Sequence, residues 1–410
     1  SFPSLVAFPK GHPGCAVHDQ VNDRCKWFCT YGDAVWSIDN NGQLWGWGQQ
    51  PNYGELGTGN TNVQNVPYAI SADTANSING KTVIQLATVG GTEENHGSMM
   101  VLCSDGSVHA AGYNGHGQLG IGNASHQNRF LEINSAVLSG VSRVIGGRDR
   151  YTAYFMLKSN GELYHTGYNG HYQSGNSSTT DNVSPFRIPY FYDNSIVVTT
   201  MWATAYQNFA LDNANNLYAW GANDQGTTGA GNYISNIQTP IKVLEGVSSC
   251  SVSAWDYTVA YAIMTDGTVR ATGNGDYGAL ANDSTSDHNT WTPMRSKDNV
   301  LNGVTISKVV ANGTGSYNSV MMMSNAGKIY SVGYNGNGQL GLGDTTARSL
   351  VEEVPIQGYV VDIGPVGYSS EGGYQILLDD GQLYQTGYAG DSQLPEDDDE
   401  YSSTAYPIIL

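Results

Sequence analysis

Apolar residues in this chain come in short runs, and residues typical of turns separate one run from the next. One stretch shows the pattern most clearly. The β-prone run 82–87 is followed by the mostly apolar run 98–103. Asp105-Gly106 then suits a tight hairpin, because both central residues of a type I′ turn take positive φ. The run 107–112 supplies a third strand and 130–133 a short outer one. The pattern predicts a four-stranded antiparallel unit.

The same unit recurs along the chain. Seven times, a hairpin position is followed two residues later by an apolar residue and six residues later by a glycine. The hairpin positions are Gly42, Gly106, Gly161, Asn215, Gly267, Gly327 and Gly381. Asn215 replaces glycine once, as asparagine tolerates positive φ. Successive positions lie 52 to 64 residues apart, a spacing typical of an array of repeated units.

The second strand of each unit is a continuous apolar run. Further examples are 154–157, 259–264, 319–323 and 375–378. Such runs indicate strands covered on both faces. Four-stranded units with covered inner strands describe the blades of a propeller, so the predicted fold class is all-β, a seven-bladed β-propeller of four-stranded antiparallel blades.

The domain organisation follows from the same pattern. Residues 31–410 are predicted to form the propeller, with 405–410 as the outer strand of the seventh blade. Residues 1–30 precede the first repeat and are predicted to clasp the first and last blades or to cap the propeller. Clasping is favoured slightly, since it adds ladder hydrogen bonds from both ends of the chain.

The link after the third strand carries a glycine-rich phrase. Residues 112–122 and 333–343 share Gly-Tyr-Asn-Gly-x-Gly-Gln-Leu-Gly-x-Gly, and the phrase is altered at Glu55-Leu-Gly57. No helical pattern follows any copy, so a phosphate-binding loop is disfavoured and the glycines are predicted to supply positive φ. Over residues 30–410 the pattern resembles the repeat of the regulator of chromosome condensation family. The resemblance implies a seven-bladed propeller that binds proteins through its loops. The family's founding member is a nucleotide-exchange factor for a small GTPase on chromatin.

Charge limits the partners. The chain has 17 Lys and Arg against 36 Asp and Glu, a formal net charge of −19. Such a surface repels phosphates, so no nucleic-acid partner is predicted. No apolar run approaches the roughly 18 residues of a membrane span, so membrane insertion is not predicted. The first ten residues lack the pattern of a signal peptide.

Tyrosines recur in register with the repeat and form the candidate ligand-binding face. One set follows the second glycine of the unit: Tyr113, Tyr168, Tyr334 and Tyr388. A second set precedes the second strand: Tyr151, Tyr206, Tyr257 and Tyr317. The first and third connections of an antiparallel blade lie at the same end, so both sets are predicted to ring one face. Trp202, Trp255, His96, His116 and His171 are predicted nearby. The alternative is that these tyrosines pack between link loops as part of the scaffold.

Other candidate chemistry is sparse. Cys15, Cys25 and Cys29 allow a disulfide, a metal site or unpaired thiols, whereas Cys103 and Cys250 are predicted to be buried thiols. The acidic run 395–401 lacks the spacing of a calcium loop. No metal, no cofactor and no catalytic set is predicted, and the chain is not expected to be an enzyme.

These observations favour a non-enzymatic binding propeller on the outside of a virion, such as a phage tail fibre or receptor-binding component. It would engage a protein or a cell-surface glycan through one face, with other virion proteins as further partners, at an extracellular or virion location. The alternatives are a secreted or cell-surface adhesin or inhibitor, and an intracellular regulator of a small GTPase. Charge and composition disfavour the last of these.

Overall fold

The computed structural model describes residues 27–29, 34–39, 41–48, 53–89, 97–147, 153–253, 258–313, 315–366, 372–387 and 402–408. Within them, strands group into seven four-stranded sheets, and in each sheet the strands lie side by side in chain order. The seven antiparallel sheets are the blades of a seven-bladed β-propeller, so the predicted fold class is confirmed.

The first four sheets are built as follows. The first contains β1 (Trp27–Cys29), β2 (Ala34–Ile38), β3 (Leu44–Gly48) and β4 (Gln64–Ala69). The second contains β5 (Val83–Val89), β6 (Ser98–Cys103), β7 (Val108–Gly112) and β8 (Gln127–Glu132). The third contains β9 (Val141–Gly146), β10 (Ala153–Lys158), β11 (Leu163–Gly167) and β12 (Asn182–Arg187). The fourth contains β13 (Val198–Ala203), β14 (Gln207–Asp212), β15 (Asn216–Ala222) and β16 (Asn236–Glu245).

The last three sheets repeat the arrangement. The fifth contains β17 (Val247–Val252), β18 (Val259–Met264), β19 (Val269–Gly273) and β20 (His288–Pro293). The sixth contains β21 (Ile306–Asn312), β22 (Ser319–Ser324), β23 (Ile329–Gly333) and β24 (Arg348–Glu353). The seventh contains β25 (Val360–Val366), β26 (Gly373–Leu378), β27 (Leu383–Gly387) and β28 (Ser402–Ile408).

Helical segments are short and lie in connections. They are α1 (Ser135–Leu138), α2 (Pro189–Asp193) and the 3₁₀ turns Ile70–Ala72, Asp276–Gly278 and Lys297–Asn299. Among the described residues, no helix has the length and apolar character needed to cross a membrane.

By its internal contacts the chain divides into two compact units. Unit 1 comprises residues 1–213 and 236–240, and unit 2 comprises residues 214–235 and 241–410. The first three sheets belong to unit 1 and the last three belong to unit 2.

The core of unit 1 lies between neighbouring sheets, and β6 shows how the sequence builds it. Met99 and Val101 of β6 join a cluster with Trp36 of the first sheet. Met100 and Leu102, which point to the opposite face, join a cluster with residues of the third sheet. A strand whose alternate residues face two different neighbours must be apolar on both faces. This accounts for the continuous apolar runs in the sequence.

The core of unit 2 follows the same rule at β22. Val320 and Met322 belong to a cluster that includes Tyr261 of the fifth sheet. Met321 belongs to a cluster that includes Ile363 and Tyr374 of the seventh sheet. Burying β22 on both faces therefore ties the sixth sheet to the fifth and the seventh, as β6 ties the second sheet to the first and the third.

Outer strands begin earlier than the apolar pattern predicts. β8 starts at Gln127 rather than at residue 130, because Gln127 pairs with Gly112 of β7. β28 covers Ser402–Ile408 rather than 405–410, and Ser402 pairs with Gly387. Trp27–Cys29 of the N-terminal segment form β1 and pair with β2. The rest of that segment lies outside the described residues, so its role as clasp or cap stays a prediction.

Link glycines allow one sheet to approach the next. Gly117 has φ of +74°, and a Cβ built there would lie 2.5 Å from the Cα of Val183 in β12. Gly80 has nearly the same φ, +73°, but a Cβ there would meet no atom within 4 Å. Both positions need a residue that tolerates positive φ, but only Gly117 also lies too close to a neighbouring strand to carry a side chain. Comparing the two therefore distinguishes the effect of backbone conformation from that of close approach.

Gly117→Ala is therefore expected to destabilise the chain more than Gly80→Ala. Both variants strain a left-handed residue by about 1 kcal/mol. Only Gly117→Ala also pushes against the Val183 backbone, which adds about 2 kcal/mol. Urea unfolding followed by tryptophan fluorescence measures both losses. Equal losses would show that the link does not need to approach β12 so closely.

Candidate functional site

A buried asparagine holds the link loop of the sixth sheet. Asn335 is fully buried, and its Nδ2 donates to the carbonyl oxygens of Asp344 (2.9 Å) and Thr346 (3.0 Å). Its Oδ1 accepts a hydrogen bond from the Leu340 amide at 2.9 Å. One side chain thus joins three points of the link between β23 and β24.

The same arrangement recurs in unit 1. Asn114 donates to the carbonyls of Asn123 (2.9 Å) and Ser125 (3.0 Å) and accepts from the Leu119 amide (2.9 Å). Asn169 repeats these contacts at 2.8, 3.0 and 2.7 Å. Because these asparagines fix the loops, the aromatic residues beside them are ordered before any partner arrives.

The tyrosine before each of these asparagines packs on its own loop. A Cβ built on Gly115, Gly170 or Gly336 would lie 2.1 Å from the hydroxyl oxygen of the tyrosine two residues earlier. Tyr113, Tyr168 and Tyr334 are accordingly half-buried. Part of each tyrosine therefore serves the scaffold, while the remainder stays accessible.

Six rings of unit 1 form a continuous row, which we call the unit-1 aromatic band. Its members, in order, are Tyr53, Tyr113, His116, Tyr168, His171 and Tyr206. Successive ring centroids lie 4.9, 6.4, 5.2, 6.2 and 4.5 Å apart. Every member is half-buried, so the row presents part of each ring to solvent.

Polar contacts fix the two histidines of the band. His116 Nδ1 lies 2.8 Å from Asp181 Oδ2, and the other oxygen of Asp181 accepts from the Asn169 amide at 2.9 Å. His171 Nδ1 lies 3.2 Å from Asn236 Oδ1. His116 and His171 hold equivalent positions in the repeat, but His116 hydrogen-bonds a carboxylate and His171 hydrogen-bonds a side-chain amide.

Unit 2 carries a compact group of three rings, which we call the unit-2 tyrosine cluster. Tyr334 lies 4.9 Å from both Tyr277 and Tyr317, edge to face. Tyr277 and Tyr317 stack at 5.7 Å with an interplanar angle of 24°. Each of these two is 40% exposed, which places them at the surface rather than in the core.

The structure describes six of the ten aromatic residues predicted for the binding face. Tyr113, Tyr168 and Tyr206 join the unit-1 aromatic band, and Tyr317 and Tyr334 join the unit-2 tyrosine cluster. Trp202 lies in β13, half-buried, with Phe209 as its cross-strand partner. The others, Tyr151, Tyr257, Tyr388 and Trp255, lie outside the described residues, as does His96. Ligand binding by this set stays a prediction.

The geometry behind that prediction is present in each unit. Tyr206, on the connection between the first and second strands of its sheet, contacts His171, on the third connection of the preceding sheet. In unit 2 the corresponding places are held by Tyr317, on the first connection of the sixth sheet, and Tyr277, on the third connection of the fifth sheet. First and third connections therefore do bring their aromatic residues together.

Sequence reasoning missed Tyr53, Tyr277 and His126. His126 stacks on Tyr113 at 4.9 Å, and its Nδ1 accepts from the Asn114 amide. Tyr53, His116, His171 and Tyr277 share one offset: each precedes a link residue with positive φ. These following residues are Gly54, Gly117, Tyr172 and Gly278. That offset is the signal that could have found Tyr53 and Tyr277; His126 does not share it.

The cysteine prediction is confirmed where the structure describes it. Cys103 and Cys250 are buried free thiols. Burial raises the pKa of the Cys103 thiol to about 11 and holds that of Cys250 well above its usual range. Cys15 and Cys25 lie outside the described residues, nothing is described of the Cys29 side chain, and the run 395–401 is also outside.

Curated proteins with sequence similarity to this chain include a ubiquitin ligase and a light receptor. The E3 ubiquitin-protein ligase HERC2 of Homo sapiens is 26% identical over 316 residues, which are 76% of this chain and 6% of HERC2. The ultraviolet-B receptor UVR8 of Arabidopsis thaliana is 26% identical over 228 residues, 55% of this chain and 47% of the receptor. The chain thus matches less than half the length of either relative. No family model matches it.

A solved structure shares the fold. Prp20p from Saccharomyces cerevisiae, studied for its binding to Gsp1p and histones, superposes with a TM-score of 0.60 at 17% identity, covering 83% of this chain and 81% of its own. A structure of Prp20 bound to Kap60 gives a TM-score of 0.63 at 15% identity, covering 100% of this chain and 91% of its own. The partners named for Prp20 in these two studies, Gsp1p, histones and Kap60, are proteins.

These similarities correct the predicted function and location. The prediction of a tail-fibre or receptor-binding propeller on a virion, at an extracellular site, is wrong, because the similar proteins are a ubiquitin ligase, a light receptor and a histone-binding protein of cells. The secreted or adhesin alternative is wrong for the same reason, and glycans and virion proteins lose their support as partners. Charge and composition therefore do not predict the cellular location of a propeller.

Proposed function

We propose that this chain, a seven-bladed β-propeller of the regulator of chromosome condensation type, is an intracellular protein-binding propeller that regulates a small GTPase. The observation that carries the proposal is the unit-1 aromatic band, a preformed row of six rings, five on link loops and Tyr206 on the connection between β13 and β14. The binding of Prp20p to Gsp1p supports the choice of partner class.

The band has the properties of a protein contact surface. Tyrosine and histidine bury large ring areas with few rotatable bonds, so little entropy is lost when a partner covers them. Asn114 and Asn169 already hold the loops in place through hydrogen bonds of 2.7 to 3.0 Å. A surface that is ordered in advance spends less of its contact energy on ordering.

One arrangement among the described residues resembles a nucleophile and a base, and its chemistry agrees with a binding role without catalysis. Ser77 Oγ lies 2.7 Å from His109 Nδ1, and Ser107 Oγ lies 2.8 Å from His109 Nε2. Burial lowers the pKa of the His109 imidazole to about 4. A base with so low a pKa takes up a proton poorly at neutral pH, so this group is a weak general base.

The negative charge disfavours nucleic acids and favours proteins as the class of partner. With a formal net charge of −19, the chain lacks the excess of Lys and Arg that phosphate binding requires. We therefore propose no nucleic-acid partner. The surface charge instead favours partners with basic segments.

The test is binding of the full chain to a panel of purified small GTPases, with Gsp1p included because Prp20p binds it. Each GTPase is presented with GDP, with a non-hydrolysable GTP analogue, and without nucleotide. We expect at least one GTPase to bind with an affinity that differs about tenfold or more between nucleotide states, as regulation requires differential affinity. Absence of binding in every state would overturn the proposal.

A further inference from the structure

We propose that the unit-2 tyrosine cluster and the two aspartates beside it bind an arginine side chain of a basic protein segment. The inference rests on the proposed function only in taking link loops as partner-binding elements. It concerns other residues than the unit-1 aromatic band, and it requires no GTPase.

The cluster offers aromatic faces to solvent. Tyr277 and Tyr317 are each 40% exposed and stack at 5.7 Å, while Tyr334 supports both from the side at 4.9 Å. Their mutual packing fixes the two exposed rings. A fixed aromatic face attracts a cation through the negative charge of its π-system.

Two carboxylates are held together on the link that carries Tyr277. Asp276 directly precedes Tyr277, and Asn274 Nδ2 lies 3.2 Å from both Asp276 Oδ2 and Asp287 Oδ1. Asp287 Oδ1 also accepts from the Gly275 amide at 2.9 Å. One amide therefore gathers two like charges at one spot, an arrangement that a cation would stabilise.

In the described part of unit 2, no Lys, Arg or His side chain of the chain itself forms an ion pair with these two aspartates. Neither Asp276 nor Asp287 forms an ion pair with a described residue, whereas Asp344 of the sixth-sheet link is paired with Arg348 at 2.8 Å. The fifth-sheet link thus keeps the negative charge of these aspartates, whereas in the sixth-sheet link Arg348 neutralises Asp344. Together with the net charge of −19, this favours a basic partner.

Unit 1 shows how this chemistry accommodates a guanidinium. Arg187 lies 3.4 Å above the Tyr192 ring, and its Nη1 donates to Glu162 Oε1 at 3.1 Å. Ring and carboxylate thus act on one guanidinium at once. Unit 2 has the same two elements, an exposed tyrosine face and two carboxylates on the link that carries Tyr277, without the arginine.

Arginine fits this site better than lysine does. Its guanidinium is planar, stacks on a ring and donates to a carboxylate in a fixed fork, and it is less strongly hydrated than an ammonium. A lysine would make the ion pair but would gain less from the rings. The site should therefore distinguish the two cations.

The experiment measures binding of the full chain to an immobilised glycine-spaced peptide that carries four arginines. The comparison peptides replace each arginine by citrulline, which keeps the shape and removes the charge, or by lysine. At about 150 mM salt, where long-range attraction is screened, we expect the arginine peptide to bind at least tenfold more tightly than the citrulline peptide and several-fold more tightly than the lysine peptide.

Variants identify the site. Tyr277→Ala and Tyr317→Ala are each expected to weaken arginine-peptide binding about fivefold, the size of a cation–π contact. Asp276→Asn removes a carboxylate and is expected to weaken binding by up to about fivefold, the size of an exposed ion pair. Tyr317→Phe keeps the ring and should bind nearly as the unmodified chain does, which separates loss of the ring from loss of folding. Tyr359→Ala removes another exposed tyrosine of unit 2 and should have no effect.

Two results would overturn the inference. One is equal binding of the arginine and citrulline peptides. The other is arginine binding that Tyr277→Ala, Tyr317→Ala and Asp276→Asn leave unchanged, which would assign it to the general acidity of the surface. Because the assay contains no GTPase, its failure is distinguishable from failure of the proposed function.

Discussion

Replacing Asn335 by alanine is expected to lower the free energy of unfolding by about 4 kcal/mol, the largest loss we predict. The change removes hydrogen bonds to the Asp344 and Thr346 carbonyls and from the Leu340 amide. Leu340 and Asn335 are fully buried. The Leu340 amide would lose its partner where water cannot easily replace it, which costs more than the hydrogen bond itself contributes.

Chemical denaturation of the full chain measures this loss. Asn302→Ala is the matched control, because Asn302 is an exposed asparagine of unit 2 and its substitution should change stability by less than about 0.5 kcal/mol. If Asn335→Ala were as mild as the control, the link loops would not depend on their asparagines. The idea that these loops are ordered in advance would then fail as well.

Glu55→Gln is expected to stabilise the chain at neutral pH by about 3 kcal/mol. Glu55 is buried and occupies the place of Gln118 and Gln339 in the repeat. Its Oε2 has no hydrogen-bond partner among the described residues. Burial raises the pKa of the Glu55 carboxyl from 4.5 to about 7. Glutamine keeps the shape and carries no charge to bury.

The pH dependence follows from the sign of that shift. Because folding raises the pKa, the folded state prefers the protonated carboxyl, and its stabilising effect is fully present below pH 4.5. That effect is lost as the pH rises from about 4.5 to about 7. The stability difference between Glu55→Gln and the unmodified chain should therefore be small at pH 4, grow through this window and level off above it. If the stability difference did not change with pH, folding would not raise the pKa of the Glu55 carboxyl.

Architecture could be predicted from the sequence because its signals are local. A hairpin glycine and an apolar run fix two strands within a dozen residues, and β6 covers Ser98–Cys103 as predicted. Outer strands gave no such signal. Gln127 is polar and partly exposed, and only its pairing with Gly112 makes it part of β8.

The candidate site could be predicted in part. Tyrosines in register with the repeat were visible, and their shared end followed from antiparallel geometry. Tyr53 and Tyr277 were not visible, because they align with histidines rather than with other tyrosines and make their ring contacts on other sheets. Contacts between sheets depend on how closely a link approaches its neighbour, which a single repeat does not reveal.

Location and partner class could not be predicted because they are not folding properties. Sparse charge and many tyrosines describe a surface that binds, and such surfaces occur on both sides of a membrane. The negative charge still limits the partners, since it disfavours phosphates in any compartment.

The most direct test of the central claim is the affinity of Tyr168→Ala and His171→Ala variants for the GTPase that the full chain binds. Both residues lie in the middle of the unit-1 aromatic band. We predict that each change weakens binding about 30-fold, as loss of a central aromatic contact does. Tyr192→Ala, an exposed tyrosine of unit 1 on α2, should leave affinity unchanged. Unchanged affinity in the first two variants, with folding intact, would contradict the account.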